Sequence, residues 1–178
     1  EIATTTHGHP SGYLAAGFLA RLIYGIVHNK DLQAAIGNAR EELLCWPQHE
    51  ECLAAVDAAI ALARTADAIS ETVERLGEGW VAEEALAISL FCALKAKDFL
   101  GGVRLAVNHG GDSDSTGAIT GNILGASWGK AAIPEEFLMP LELREVIEQL
   151  SSDLLQVVMP VEDESTPEPK GEAPSENE

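Results

Sequence analysis

One run of the sequence, residues 82–96, is apolar on every side of the helix that it would form. The residues expected to be buried lie on every face of this helix, and they are Ala85, Leu86, Ile88, Ser89, Leu90, Cys92 and Ala93. A surface helix carries one apolar stripe, whereas a helix that is apolar all round is buried. The run therefore predicts a core helix, and the rest of the chain must supply the elements that cover it.

Other segments have apolar residues at helical spacing and can supply that cover. Helices are predicted at residues 11–28, 32–43, 50–66, 67–76 and 141–158, after Asp98, and from about Thr116. Asp31 and Asp98 are predicted to be the N-caps of the helices that follow them. Residues 1–9 are polar and threonine-rich, which favours an extended conformation. Aromatic residues make up only 5% of the chain and strand signals are almost absent. The fold class predicted is all-α, an orthogonally packed multi-helix globular domain of about seven or eight helices.

Residues 108–129 are predicted to form a loop that becomes a helix. Gly110 and Gly111 are expected to permit a sharp turn with positive φ. Small and apolar residues then continue at helical spacing. Glycines recur at every fourth position, at Gly117, Gly121, Gly125 and Gly129, and such a stripe predicts the close approach of another helix or of a ligand.

Two carboxylates, Asp112 and Asp114, lie where this helix is predicted to begin. A single aspartate there is an ordinary N-cap. Two aspartates with the Ser115 hydroxyl bring hard oxygen ligands together, which favours Mg²⁺, Mn²⁺ or Ca²⁺ over zinc. An EF-hand is excluded because its twelfth position would be Ile123, where a glutamate is required. Capping and cation binding both remain open on the residues alone.

The same stretch resembles a known family. Asn-His-Gly-Gly-Asp-Ser-Asp-Ser at residues 108–115, with matching segments at 118–126 and 132–134, is similar to the C-terminal signature of the ADP-ribosylglycohydrolases. Thr-His-Gly-His-Pro at 6–10 and Gly-Glu-Gly-Trp-Val-Ala-Glu-Glu-Ala at 77–85 resemble other segments of that family in the same order. The resemblance thus covers most of the chain.

The resemblance implies an all-α fold with a two-metal centre, usually Mg²⁺ and sometimes Mn²⁺, that binds ADP-ribose. It implies a hydrolase that removes ADP-ribose from modified protein side chains or from small ADP-ribosyl products. Matching the motifs assigns the metal ligands to Asp112, Asp114 and Ser115, the last usually a threonine in the family. Substrate-binding positions implied in the same way are His7, His9, Trp80, Gly110, Gly111 and Ser113. No catalytic residue is predicted apart from the metal ligands.

Three of these positions have other interpretations on the residues alone. The spacing of His7 and His9 suits a metal pair, but Pro10 at a first helical turn favours a helix start with an ordinary cap. Trp80, in a loop made flexible by glycine, is more often a packing anchor than a ligand contact.

One departure from the family pattern is large. The family carries an acidic Thr-Asp-Asp-Thr motif and a further glutamate upstream of its Thr-His segment, and this sequence matches neither. The chain is therefore expected to be the C-terminal half of such a domain, with the remaining ligands on an N-terminal portion that is separate or omitted. The alternative is a non-catalytic ADP-ribose-binding or structural relative that has lost those ligands.

The overall composition limits the binding partners and the cellular compartment that can be expected. A formal net charge of −18 disfavours nucleic-acid binding. Three cysteines, none in a Cys-x-x-Cys pair, suit a reducing compartment. With no signal peptide and no apolar run near the roughly 20 residues of a membrane span, no membrane association and a cytoplasmic location are expected. Residues 1–159 are predicted to form the helical domain and 160–178 a disordered acidic tail of Pro, Glu and Ser.

Overall fold

The structure, a computed structural model, describes residues 1–28 and 30–158. The α-helices are α1 Pro10–Val27, α2 Leu32–Leu43, α3 Glu50–Thr65, α4 Ser70–Val73, α5 Ala82–Lys95, α6 Phe99–Val107, α7 Ser113–Trp128, α8 Glu135–Leu138 and α9 Arg144–Val158. Short 3₁₀ helices occupy Ile2–Thr5, Glu74–Leu76 and Lys130–Ala132. The described residues contain no strand, so the all-α prediction is confirmed.

Helix α5 lies at the centre of the core, as its composition predicts. Residues 85–93 are buried without interruption. The helix packs against α1, α3, α6 and α7, which together cover all of its sides. Burial of apolar area is the main favourable term in folding, so these contacts define where the other helices must lie.

Helix α1 covers one face of α5 with a stripe of apolar residues one turn apart. Leu14, Phe18, Leu22 and Ile26 are all buried. By length and composition alone this helix could cross a membrane, since its 18 residues have a mean hydropathy of 1.2, which the sequence prediction did not recognise. In the fold 39% of that window is buried, and the stripe packs against α2, α5 and α7 as in the core helix of a globular domain.

Helix caps follow the sequence closely. Asp31 Oδ1 accepts from the Ala34 N–H (2.9 Å) at the start of α2, and Asp98 Oδ1 accepts from the Gly101 N–H (2.6 Å) at the start of α6. Residues 1–9 were predicted to be extended, and the prediction is wrong for Ile2–Thr5, which form a 3₁₀ helix. The Thr4 hydroxyl donates to the Glu1 carbonyl at 2.6 Å, and similar bonds stabilise the 3₁₀ turn.

The glycine stripe of α7 has two different environments. A Cβ on Gly117 would lie 2.7 Å from Val107 Cγ1 of α6, so the predicted close helix approach is confirmed there. Gly121 has only ordinary space toward Phe99, with 3.9 Å to its ring. Gly125 and Gly129 face nothing within 4 Å, so the prediction is wrong for that half of the stripe.

The chain divides into two compact units. The first, Glu1–Glu135, contains the buried core described above. The second begins at Glu136 and includes α9, in which the Arg144 Nε donates to Glu148 Oε1 at 2.8 Å. The predicted acidic tail, residues 160–178, lies outside the described residues.

Candidate functional site

A groove of about 860 Å³ opens in the first unit where three distant stretches of sequence meet. They are the segment before α1, the loop before α5 and the start of α7. Polar or aromatic lining residues are Thr6, His7, His9, Ser11, Glu51, Trp80, Glu83, Asp112 and Ser115. Apolar lining residues include Ala15, Ala16, Leu19, Leu86 and Ile119. This combination of an apolar surface with a few convergent polar groups is typical of a small-molecule site.

Asp112 is the N-cap of α7, which explains why the helix begins at Ser113 and not near Thr116 as predicted. Its Oδ1 accepts from the Ser115 N–H over a long 3.5 Å. A hydrogen bond with the Asp114 side chain, followed by one with the Ser115 side chain, lowers the pKa of the Asp112 carboxyl. Two ionised carboxylates close together repel each other, and a bound cation would offset that repulsion.

The loop before Asp112 is pressed against the loop before α5. The Asp112 N–H donates to the Glu78 carbonyl oxygen at 2.7 Å. A Cβ on Gly111 would overlap that same oxygen, so only glycine fits there. The prediction of positive φ at Gly110 and Gly111 is wrong, because neither is among the described residues with positive φ. Gly111 is required for close backbone approach.

His109 and Thr116 hold the loop before Asp112 in place through hydrogen bonds. The Gly111 N–H donates to His109 Nδ1 (3.1 Å), which leaves the proton on Nε2 to be donated to Thr116 Oγ1 at 3.0 Å. Thr116 is fully buried, and its hydroxyl donates to the Ala106 carbonyl at 2.7 Å. Sequence reasoning passed over His109, although its place beside two glycines between two helices could have drawn attention to it.

The loop that carries Trp80 is anchored, although its glycines predicted flexibility. Gly77 and Gly79 adopt positive φ, of 115° and 81°. Glu84 Oε2 accepts from the Glu78 and Gly79 N–H groups at 3.0 and 3.1 Å. Trp80 is 67% exposed in the groove, so the packing-anchor interpretation is wrong.

The histidine segment lies on the same groove. His7 and His9 are both exposed, and Pro10 occupies the first turn of α1 as predicted. His7 Nδ1 pairs with Thr6 Oγ1 at 2.8 Å, and His9 Nδ1 pairs with Ser11 Oγ at 2.9 Å. His9 gives no side-chain cap to α1, and both His7 and His9 line the groove.

Comparison with known proteins identifies the family. The chain matches the sequence profile of the ADP-ribosylglycohydrolase family over residues 1–164. It belongs to the ADP-ribosylglycohydrolase family. An uncharacterized protein from Archaeoglobus fulgidus is 36% identical over 91 residues, which cover 51% of this chain and 29% of that protein. The chain thus spans less than a third of the length of this relative, and no solved structure matches it.

The structure brings some of the predicted ADP-ribosylglycohydrolase site residues together and not others. Those lining the groove are His7, His9, Trp80, Asp112 and Ser115. Those outside its lining are Gly110, Gly111, Ser113 and Asp114. The Ser113 hydroxyl is directed to the Gly111 carbonyl, 3.4 Å away, and Asp114 is exposed.

The donor set fits one side of the metal centre that the family implies. Asp112, Asp114 and Ser115 offer hard oxygen atoms on adjacent residues, while Mg²⁺ takes about six oxygen ligands including water. Within residues 1–28 and 30–158, no group of three or more His, Cys, Asp or Glu side chains could hold a metal ion. A cation bound by Asp112, Asp114 and Ser115 would therefore need further oxygen ligands.

The cysteines do not offer a nucleophile to the groove. Burial, then the charges of Glu83 and Glu51, raises the pKa of Cys52 to about 11. Burial raises the pKa of Cys92 to about 12. Cys45 is exposed but does not line the groove. Thiolate chemistry is thus disfavoured for the described residues, and oxygen and imidazole groups dominate the site.

Proposed function

We propose that this chain forms the metal-facing part of an enzyme that hydrolyses ADP-ribosyl bonds in modified proteins or in small ADP-ribosyl products. The observation that carries the proposal is the meeting of three family segments in one groove, where Asp112 and Ser115 share a lining with His7, His9 and Trp80. These segments are far apart in sequence, so only the fold joins them. Membership of the ADP-ribosylglycohydrolase family supports the reaction class.

Asp112, Asp114 and Ser115 would hold Mg²⁺ or Mn²⁺ on one side of the groove. A bound divalent cation would supply Lewis-acid polarisation of ribose hydroxyls and a lowered pKa for an attacking water. The further oxygen ligands would come from an N-terminal portion of the same domain. Asp112 suits this task because its backbone N–H and its carboxylate are both bonded at the helix start, so its position is set before the ligand arrives.

The other lining residues would bind and orient the substrate. The exposed Trp80 ring can stack on or pack against a flat ligand group, while its indole N–H is already used by Glu78 Oε2 at 3.1 Å. His7 and His9 can donate to phosphate or ribose oxygens. The apolar side chains of α1, α5 and α7 would exclude water around them.

One observation favours a different class of function. The described residues lack a third His, Cys, Asp or Glu that would complete a metal site beside Asp112 and Asp114. A non-catalytic relative that binds ADP-ribose, or that serves a structural purpose, would have the same groove without the chemistry. An incomplete ligand set within the described residues is what such a relative would have.

The test is ADP-ribose release from ADP-ribosylated protein by the complete polypeptide with Mg²⁺ or Mn²⁺. Asp112→Asn keeps a side chain that caps helices as well as aspartate does, but it removes a charged ligand. We expect the rate to fall about 100-fold, since loss of a carboxylate ligand weakens metal binding. Asp31→Asn makes the same change at a plain N-cap outside the groove and should leave the rate unchanged.

Each hypothesis has its own outcome. An unaltered rate in Asp112→Asn would show that this carboxylate is only a cap. Calorimetry on the complete polypeptide separates the rivals. ADP-ribose binding without release from any modified protein supports the binding relative, and no binding at all supports a structural one.

A further inference from the structure

We propose that Glu84 of α5 is a positioning residue for Asp112, acting through the backbone of Glu78. The structural part of this inference rests on contacts alone, and its consequence for metal binding rests on the proposed function. Glu84 does not line the groove, and it is separated from Asp112 by one short loop.

Glu84 holds the loop by two bonds from a single carboxylate oxygen. Oε2 accepts from the Glu78 N–H at 3.0 Å and from the Gly79 N–H at 3.1 Å. Gly77 adopts a φ of 115°, and a Cβ there would overlap the Glu84 carboxyl group. Hydrogen bonds to a charged acceptor are the stronger kind, so this loop has one strongly preferred arrangement.

The Glu78 carbonyl group connects this loop to the start of α7. Its carbonyl oxygen accepts the Asp112 N–H at 2.7 Å, a short bond for N–H···O. The same oxygen occupies the space that a Gly111 side chain would need. The backbone of Asp112 therefore cannot shift toward the loop, and moving the loop away would cost it this bond.

The Glu78 side chain points to a second target. Its Oε2 accepts from the Trp80 indole N–H at 3.1 Å. One residue thus contacts Asp112 through its backbone and Trp80 through its carboxylate. The two effects can be separated, because Glu78→Ala removes only the side-chain bond.

A plain helix-capping role for Glu84 predicts different contacts. Acidic residues in a first turn stabilise the helix dipole, and a capping box would direct Glu84 to the N–H of Val81, the N-cap residue. The observed bonds go instead to the amides of residues that precede the helix. The carboxylate therefore ties the loop to the helix, beyond any effect on the helix itself.

Amide hydrogen exchange followed by NMR on the complete polypeptide tests the structural part. In Glu84→Ala we expect the Asp112 amide to exchange at least about tenfold faster, because its acceptor loop is released. Glu84→Gln keeps an amide-accepting oxygen and should restore most of the protection. Asp31→Ala removes a carboxylate that also accepts a backbone N–H, at the distant start of α2, and controls for lost charge and stability.

Faster exchange at Glu78 and Gly79 with unchanged exchange at Asp112 would overturn the inference. So would an equal acceleration at Asp112 in Asp31→Ala, which would indicate general loss of stability. Neither outcome depends on whether the protein binds a metal or cleaves anything.

The metal affinity tests the functional consequence. With Mn²⁺ as the probe, we expect Glu84→Ala to weaken binding about 10-fold to 100-fold, as loss of an outer partner of a metal ligand does. Glu78→Ala should leave Mn²⁺ affinity near that of the parent and change the tryptophan fluorescence instead, because it removes the bond to the Trp80 indole. If the parent protein binds no Mn²⁺, the proposed function fails together with this consequence; if the parent and Glu84→Ala bind Mn²⁺ equally, only the inference fails.

Discussion

The start of α7 and the histidine segment both line the groove, but different contacts hold them. At α7, backbone and buried side-chain bonds reach across the chain, from Asp112 to Glu78 and from Thr116 to Ala106. At the histidine segment, the side-chain hydrogen bonds of His7 and His9 go to residues one or two positions away. The longer-range contact of His9 is with Glu51, where 3.7 Å separates His9 Nδ1 from Glu51 Oε2 and both side chains are mostly exposed.

This difference separates a fixed side of the groove from an adjustable one. Buried hydrogen bonds between distant residues leave few alternative positions, whereas exposed local bonds exchange readily with water. Metal ligands need a position fixed to within about 0.5 Å, while residues that grip a ligand can adapt. The fixed side is therefore where a cation would be held, and the adjustable side is where substrates of different shape could be accommodated.

The largest expected effect is on the fixed side, at Gly111. Gly111→Ala would bring the new Cβ into overlap with the Glu78 carbonyl oxygen. The Cβ is fixed to the backbone and the oxygen is part of it, so neither atom can rotate away. We expect a loss of about 3 kcal/mol or more in the free energy of unfolding, measured by urea denaturation. Gly110→Ala is the matched control, because its Cβ would meet only Glu74 Oε1 at 3.8 Å. Equal stability of the two variants would show that the two loops are free to separate.

A smaller loss of stability is expected in α7, where Thr116 and Thr120 are both buried but differ in hydrogen bonding. Thr116 Oγ1 bonds to the Ala106 carbonyl and to His109, while Thr120 Oγ1 has no hydrogen-bond partner. Thr116→Val should cost about 1–3 kcal/mol in unfolding free energy, because it leaves buried partners unsatisfied. Thr120→Val should be neutral or stabilising. Equal losses would mean that packing, and not the hydroxyl network, holds this side.

Local sequence pattern predicted the helices well. The continuous apolar character of α5 and the apolar stripe of α1 follow directly from which side chains avoid water. Asp31 and Asp98 were identified as caps because a cap needs only neighbouring amides. Such features depend on residues within one or two turns, so the sequence contains all the information that they require.

The site was harder to predict wherever it depends on distant contacts. Gly111 was assigned a turn role, because the Glu78 oxygen that crowds it lies 33 positions earlier in the chain. Glu84 and His109 act on backbone groups, and no spacing rule marks such a role. The residues alone favoured a packing anchor at Trp80, because most tryptophans are packed, whereas the resemblance implied a substrate contact. Only the tertiary fold shows that the side chain is 67% exposed.

The smallest effect on stability is expected on the adjustable side. His9→Ala removes an exposed ring whose bonds to Ser11 and Glu51 water can replace, so the unfolding free energy should change by less than about 0.5 kcal/mol. The affinity of the complete polypeptide for ADP-ribose should nonetheless fall about tenfold, equal to about 1.4 kcal/mol. His49→Ala, which removes a ring outside the groove, should leave that affinity unchanged.

Urea denaturation of His9→Ala and His49→Ala measures the unfolding free energy, and calorimetry on the same variants measures the affinity for ADP-ribose. A stability loss in His9→Ala as large as that of Thr116→Val would remove the distinction between the two sides, because an exposed local bond would then matter as much as a buried distant one. A small loss with weakened ADP-ribose binding would confirm that His9 contributes to the ligand and hardly to the fold. That combination is possible only where the groove wall is built from groups that the core does not need.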